Sequence, residues 1–395
     1  MTPKLPKHWS LVSLEDCAEV NPRTHIADTT KEATFLAMGD VSETGEIIGG
    51  STVELASIGS GYTRFQTNDV LVAKITPCFE NGKGALAHGL ANDIGFGSTE
   101  FHVLRAKEKV LPPFLHLITT THRFRATGEF TMSGSAGQKR VPAEFLRSYP
   151  IQLPLRTEQA RIVETISAWD ATIRKTEQLI AAKRQQQEIL TTKLYNLSNR
   201  QGMPARFGSV LTESSVSGTS GRDARKLSIK LYGKGVVAKD EKRVGSAQTQ
   251  YFVRRAGQLV YSKLDFLNGA FGIVPEELDG YESTVDLPAF DIASGIDPRW
   301  LLGYLTRPTY YTRQVGLARG QRKARRIHSS DLLASSLHVP PFDLQQRIAE
   351  ILKAMQVDIE TSTRLLAALQ KQKRGLMQKL LTGQWRVKTA ETDVC

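Results

Sequence analysis

The chain is 395 residues long and carries 52 Lys and Arg against 40 Asp and Glu, a formal net charge of +12 at pH 7. That length allows two or three domains, and a hydrophobic share of 40% is enough for ordinary cores. The excess of cations favours a polyanionic partner such as nucleic acid, through counterion release, although a ribosomal or membrane-surface protein would share it. No run of about 18 apolar residues is present to span a bilayer, and Met1-Thr-Pro-Lys-Leu-Pro-Lys7 lacks the apolar core of a signal peptide. The three cysteines, Cys17, Cys78 and Cys395, have no paired spacing, so a reduced, cytoplasmic setting is expected.

Residues 1–154 read as a first module of short strands, Asp69 to Ile75, Gly84 to Ala87 and Phe101 to Leu104, punctuated by Gly49-Gly50, Gly59 to Gly61 and Asn81-Gly82. Pro112-Pro113 opens a short helix expected to run to about Phe124. Residues 155–198 form a long amphipathic helix. Ile162, Ile166, Trp169, Ile173, Ile180, Leu190, Leu194 and Leu197 line one seam, and Arg174, Lys175, Lys183, Arg184 and Glu188 fall on a solvated back. A helix of roughly 40 residues is about 60 Å long, so its seam needs an equally long partner.

Residues 199–340 repeat the plan, with strands Gln258 to Leu264, Ala270 to Val274 and Ala289 to Ile292 and a helix from Pro298 to about Tyr311. The join, Ser198 to Pro204, is short and polar, and the Ser- and Gly-rich stretch Ser214 to Gly221 reads as an exposed loop. Residues 341–383 form the second long helix, with a seam of Ile348, Leu352, Met355, Ile359, Leu366, Leu369, Leu376 and Leu380. Asp343 with Gln346 reads as a capping box and Gly383 as a stop; residues 384–395 are a tail.

A shift of about 186 positions lays Gln159, Arg161, Ile162 and Glu164 on Gln345, Arg347, Ile348 and Glu350, and Leu190, Lys193 and Leu194 on Leu376, Lys379 and Leu380. The match extends upstream: Leu111 to Leu115 falls on Ile296 to Leu301, Val141 to Pro154 on Ile327 to Pro340, and Asp69 to Lys74 resembles Gln258 to Lys263. So long a period is domain duplication rather than a solenoid. The expected fold is α+β: two repeated modules and two long antiparallel coiled-coil helices, the modules at opposite ends of a rod with approximate two-fold symmetry.

Candidate binding residues cluster in loops. Ser133-Gly-Ser-Ala-Gly-Gln-Lys-Arg140 precedes the last strand of the first module, with Ser133, Ser135, Gln138, Lys139 and Arg140 as candidate contacts. Its counterpart Gly316 to Arg326 reads as longer and holds five basic residues; Arg319, Gln321, Arg322, Lys323, Arg325 and Arg326 are the candidates there. Glycine lets backbone approach a ligand, Arg and Gln can read base edges, and Lys and Arg hold phosphates; the alternative is a solvated turn. Lys74 and Lys263 stand at matching strand ends, Lys83 lies nearby, and Lys230 and Lys234 belong to a basic run, Arg222 to Arg243, flanked by Tyr232 and Tyr251. Leu179, Ile189, Ile351 and Leu365 lie off the main seams, a candidate docking strip for partner helices. No Gly-x-x-x-x-Gly-Lys-Ser/Thr phosphate loop or metal-ligand histidine spacing occurs. Thr76-Pro-Cys-Phe79 only approaches the Asn-Pro-Pro-Tyr/Phe motif of amino-methyltransferases and reads as a strand-end turn.

Pro154-Leu-Arg-Thr-Glu-Gln-Ala-Arg-Ile162, its weaker echo Pro341 to Ile348 with Leu344 in place of the Glu, Lys379-Leu-Leu-Thr-Gly383 and the opening Pro6-Lys-His-Trp9 resemble the specificity subunits of type I restriction–modification systems, phage-defence complexes of the cytoplasm. The resemblance covers nearly the whole chain. It implies two target-recognition domains reading the halves of a bipartite site in double-stranded DNA, with the helices as spacer and as docking surface for two methyltransferase subunits. Motor-nuclease subunits would join through the complex. It implies no catalysis, metal or cofactor in this chain, S-adenosylmethionine, ATP and magnesium belonging to the partners. The rival readings are a coiled-coil structural adaptor and another nucleic-acid-binding scaffold.

Overall fold

The computed structural model describes residues 5–24, 32–58, 61–135, 137–240, 246–320 and 325–387. The chain divides into two compact units, one made of residues 1–177 with 365–395, the other of residues 178–364. Two long helices, Arg156–Gln201 of 46 residues and Phe342–Leu381 of 40, contribute a segment to each unit. In the first unit Ile162 and Ile166, near the start of the first helix, share a core with Leu376, Met377 and Leu380 near the end of the second. In the second unit Leu194 and Tyr195 share a core with Ile348, Ala349 and Leu352. Within each unit the helix segments are therefore antiparallel.

The first module is built on an antiparallel four-stranded sheet, Ala18–Val20, Phe101–Ala106, Val70–Ala73 and Gly84–Leu86 in spatial order. Its strand Val70–Ala73 is buried on both faces, as the unbroken apolar run Val70-Leu-Val-Ala73 requires. Ser51–Glu54, Glu32–Leu36, Ile94–Gly97 and Thr63–Gln66 form a second sheet, whose central pair is parallel. The second module repeats the first sheet with Leu211–Ser214, Ala289–Ile292, Leu259–Tyr261 and Phe271–Ile273. Its remaining strands form a three-stranded sheet, Ser217–Ser220, Gln250–Val253 and Glu282–Ser283, and the hairpin Leu227–Ile229 with Val236–Ala238. In each module a two-stranded ribbon leads into or out of a long helix: Ser10–Ser13 with Pro150–Leu153, and Met203–Arg206 with Ser336–Val339.

The repeated glutamine explains how each helix is tied to its module. Buried Gln159 donates to the carbonyls of Lys109 and Pro154 at 3.0 and 2.9 Å and accepts from the Leu111 N–H at 2.8 Å. Gln345 makes the same set with Gly295, Pro340 and the Asp297 N–H at 3.2, 2.9 and 2.8 Å. Glu158 has no such counterpart, and the reason is local. Its buried carboxylate accepts from Trp9 Nε1 at 2.9 Å and from Arg386 at 3.0 and 2.7 Å, whereas Leu344 at the repeated position joins an apolar core.

Several expectations need correction. The single short helix of each module is two, Pro112–Thr119 with His122–Phe130 and Pro298–Leu305 with Pro308–Tyr311. Part of the stretch read as a loop, Ser217–Ser220, is a strand, because it pairs antiparallel with Gln250–Val253 despite its Ser and Gly content. The first helix runs to Gln201, well into the polar join. Leu197 is exposed and Tyr195 takes the buried place, while Lys183, expected on the solvated back, reaches Asp358 at 2.8 Å and Ser362 Oγ at 3.0 Å across the helix pair. Asp343 lies inside the first turn of a helix that starts at Phe342, so it does not cap it. Gly383, at φ 68°, does end the helix in the left-handed region that favours glycine. Thr76 to Phe79 is a turn, as expected.

Candidate nucleic-acid interface

Ser133 and Arg140 exchange backbone hydrogen bonds of 3.1 and 2.9 Å, closing an exposed hairpin loop in which Gly134 and Gly137 have positive φ. Arg319 and Arg326 close the corresponding loop with two bonds of 2.8 Å, and Gly320 has φ 114° where Gly134 has 130°. The shift that aligns the helices also aligns both pairs. The second loop is therefore equal in length to the first, not longer; what differs is its side chains. Ser135, Gln138 and Lys139 of the first loop and Arg325 of the second are exposed, while Gln321, Arg322 and Lys323 lie outside the described residues.

Each loop is anchored to the end of the central strand that carries a lysine. Lys74 donates its N–H to the Glu100 carbonyl and accepts at its own carbonyl from Val141; Lys263 does the same with Asp286 and Ile327, all at 2.8–3.0 Å. Arg140 grips Glu100 with Nε and Nη2, the shortest contact being 2.7 Å, and Arg326 Nε lies 3.2 Å from Asp286. Arg140 holds the Glu100 carboxyl below its ordinary value, mainly through these hydrogen bonds. Partial burial lowers the Lys74 ammonium, with Glu100 opposing and Arg140 assisting. Under this cluster His102, pushed down to about 4 by burial, is neutral. Its Nε2–H donates to the Val141 carbonyl at 2.9 Å, which leaves Nδ1 to accept from Asn21 Nδ2 at 3.1 Å.

A cleft of about 620 Å³ opens beside Lys74, lined also by Arg23, Arg64, Asn21 and Thr63. The structure thus brings Lys74, the hairpin and two further arginines to one region of the first unit. In the second unit, Lys230 and Lys234 flank an exposed turn whose Tyr232 N–H donates to the Asn268 carbonyl, in the segment just after Lys263. The rest of that basic run is not a uniform solvated face. Lys226 is buried with its ammonium 5.3 Å from the Tyr251 ring centroid, and Arg225 stacks on Tyr281 at 4.2 Å. Lys83 spends its ammonium on the Met38 carbonyl at 3.0 Å, a bond between two layers of the module. Arg319 pairs with Asp331. Among the described residues no group of His, Cys, Asp and Glu could hold a metal, and no helix is long and apolar enough to cross a membrane.

Glu100, Asp286, Arg23 and Arg64 were not among the sequence candidates. For the two acids a signal existed: the shift that aligns Arg140 with Arg326 also aligns Glu100 with Asp286. The two arginines gave none, since only the folded sheets bring Arg23 and Arg64 to Lys74. On the helices, Leu179, Ile189, Ile351 and Leu365 are 40–53% exposed, so their side chains are not consumed by the seams.

The family model described as Type I restriction modification DNA specificity domain matches residues 6–183. The specificity subunit of the type I restriction enzyme EcoEI from Escherichia coli is 41% identical over 169 residues, which is 42% of this chain and 28% of that relative's length. A chain of a solved structure described as the structural basis of complex assembly and conformational transition of the type I R-M system aligns over 97% of this chain and all of its own, with a TM-score of 0.64 at 19% identity. The HsdS subunit from Thermoanaerobacter tengcongensis aligns over 97% of this chain and 99% of its own with a TM-score of 0.58, also at 19% identity, so these two likenesses concern the fold. Residues 6–183 therefore carry the DNA specificity domain of type I restriction–modification systems, and the module-and-helix repeat gives the whole chain the fold of the specificity subunit it aligns with.

Proposed function

We infer that the chain is a non-catalytic reader of double-stranded DNA, each module recognising one half of a bipartite site. The long helices set the gap between the halves and offer a docking surface to two methyltransferase subunits, through which motor-nuclease subunits join. S-adenosylmethionine, ATP and magnesium serve those partners. The observation that carries this reading is the pair of equivalent hairpin closures, Ser133 with Arg140 and Arg319 with Arg326, alike in backbone pairing and in spacing and different in the sequence they enclose. Readout of two unlike half-sites needs a constant backbone presenting unlike donors and acceptors to base edges, with phosphate contacts fixing register.

Methylation mapping of cells with and without the chain tests it. The expected result is loss of one methylated motif, with two short specified halves around an unspecified gap. An unchanged map in cells that express the matching methyltransferase would overturn the reading.

A further inference from the structure

The Lys–acid–Arg cluster occurs twice, at equivalent places, outside either core. Lys74 and Lys263 end corresponding strands, their backbones bond to Glu100 and Asp286, and those acids hold Arg140 and Arg326 at the closing pair of each hairpin. The carboxylates are engaged by arginine, while neither lysine ammonium has a hydrogen-bond or ion-pair partner among the described residues. Both lysines are half-buried, and burial costs the Lys74 ammonium part of its hydration without a protein acceptor in return. Beside Lys74 the cleft adds Arg23 and Arg64, a cationic lining with no acid among the described residues that form it.

We propose that Lys74 and Lys263 are equivalent DNA-phosphate contacts, one in each module, and that Glu100 and Asp286 are positioning residues that fix the base of the reading hairpin through Arg140 and Arg326. The proposal rests on the DNA-recognition reading and divides the labour within it. The repeated cluster supplies the same sequence-independent hold to both half-sites, and the differing loop residues supply the discrimination. A phosphate oxygen provides the acceptor each ammonium lacks. The acid prevents the neighbouring arginine from taking that phosphate and keeps its guanidinium, and with it the hairpin, in one orientation.

The test uses the chain assembled with its methyltransferase subunits and two duplexes of equal length, one bearing the target found by methylation mapping and one of random sequence. In K74M and in K263M the slope of log affinity against log salt should fall by about 0.9 for each lysine, the expectation for one lost phosphate contact. Binding to the two duplexes should weaken by the same factor, and the methylated motif should stay the same. K74R and K263R, which keep the charge, should retain the slope. In E100Q and D286N affinity for random DNA should hold or rise while the target-to-random ratio falls, and E100D and D286E should restore that ratio. A merely structural acid would instead lower both affinities together. Wild-type slopes in both lysine variants, with a wild-type complex that does select its target, overturn the clamp alone. No selection by the wild-type complex overturns the DNA reading and the clamp with it.

Discussion

Gln159 and Gln345 make three hydrogen bonds each, to the segment before a module helix and to a proline carbonyl two residues before the long helix. Removing either amide would strand a buried N–H and two carbonyls, so Q159A and Q345A should each destabilise the chain by about 1–3 kcal/mol. Q346A, at an exposed position one residue on, should change nothing measurable. Urea unfolding midpoints of the three variants check this, and equal shifts in Q345A and Q346A would count against it. The glutamines were visible in the sequence as the most regular part of the repeat, because identical tertiary bonds in both copies demand an identical residue. Their partners were not visible, since the acceptors are main-chain carbonyls that carry no side-chain signature. Glu158 shows the converse. Its absence from the second copy looked like a weakened motif, and only the packing of Trp9 and Arg386 against it gives the first copy its reason for a carboxylate.

At the scale of elements, the long helices were legible from periodicity and the closing of their seams was less so. A seam read from apolar residues alone puts Leu197 inside and Lys183 outside, but an antiparallel pair can also close through polar groups. Lys183 with Asp358 and Ser362, and Gln187 with Gln356 at 3.3 Å, occupy the contact in the second unit. Lys373 with Asp170 does so in the first. Replacing apolar knobs by such pairs leaves Leu179, Ile189, Ile351 and Leu365 turned to solvent. The combined variant L179Q/I189Q/I351Q should melt with the wild-type chain, because exposed substitutions usually change stability by no more than about 0.5 kcal/mol. It should fail to retain methyltransferase subunits on co-purification. Undiminished retention with a normal melting curve would show that the strip is spare surface. The second sheet of the first module, by contrast, was not legible: Glu32–Leu36 and Ile94–Gly97 are short, the latter is half glycine, and they pair in parallel only through long-range packing.

At the scale of the molecule, the duplication is written openly in the sequence, and on the proposed DNA-recognition reading the spacing between half-sites should follow helix length. Four residues added within a helix lengthen it by about 6 Å and rotate its downstream segment by about 40°. The addition must be matched in the partner helix at the residue that faces it, and the contacts identify that residue. Lys183 meets Asp358 and Ser362, so an insertion after Ala182 is matched by one after Ser362 rather than after Ala368, the position given by the repeat. Sequence equivalence and spatial opposition differ here because the helices are antiparallel: the repeat pairs residues running in the same direction, whereas the seam pairs them in opposite directions. With both insertions the seam keeps its partners on either side. The recognised site should keep its half-site sequences and gain one or two base pairs of gap, since about 6 Å is near two steps of 3.4 Å along B-DNA. Insertion after Ala182 alone should instead break Lys183 from Asp358 and lower the melting temperature. Methylation mapping of the doubly extended chain decides the matter. A single gap of unchanged length would sink the ruler, and tolerance of many gap lengths before and after insertion would mean that the helices merely tether two independent readers.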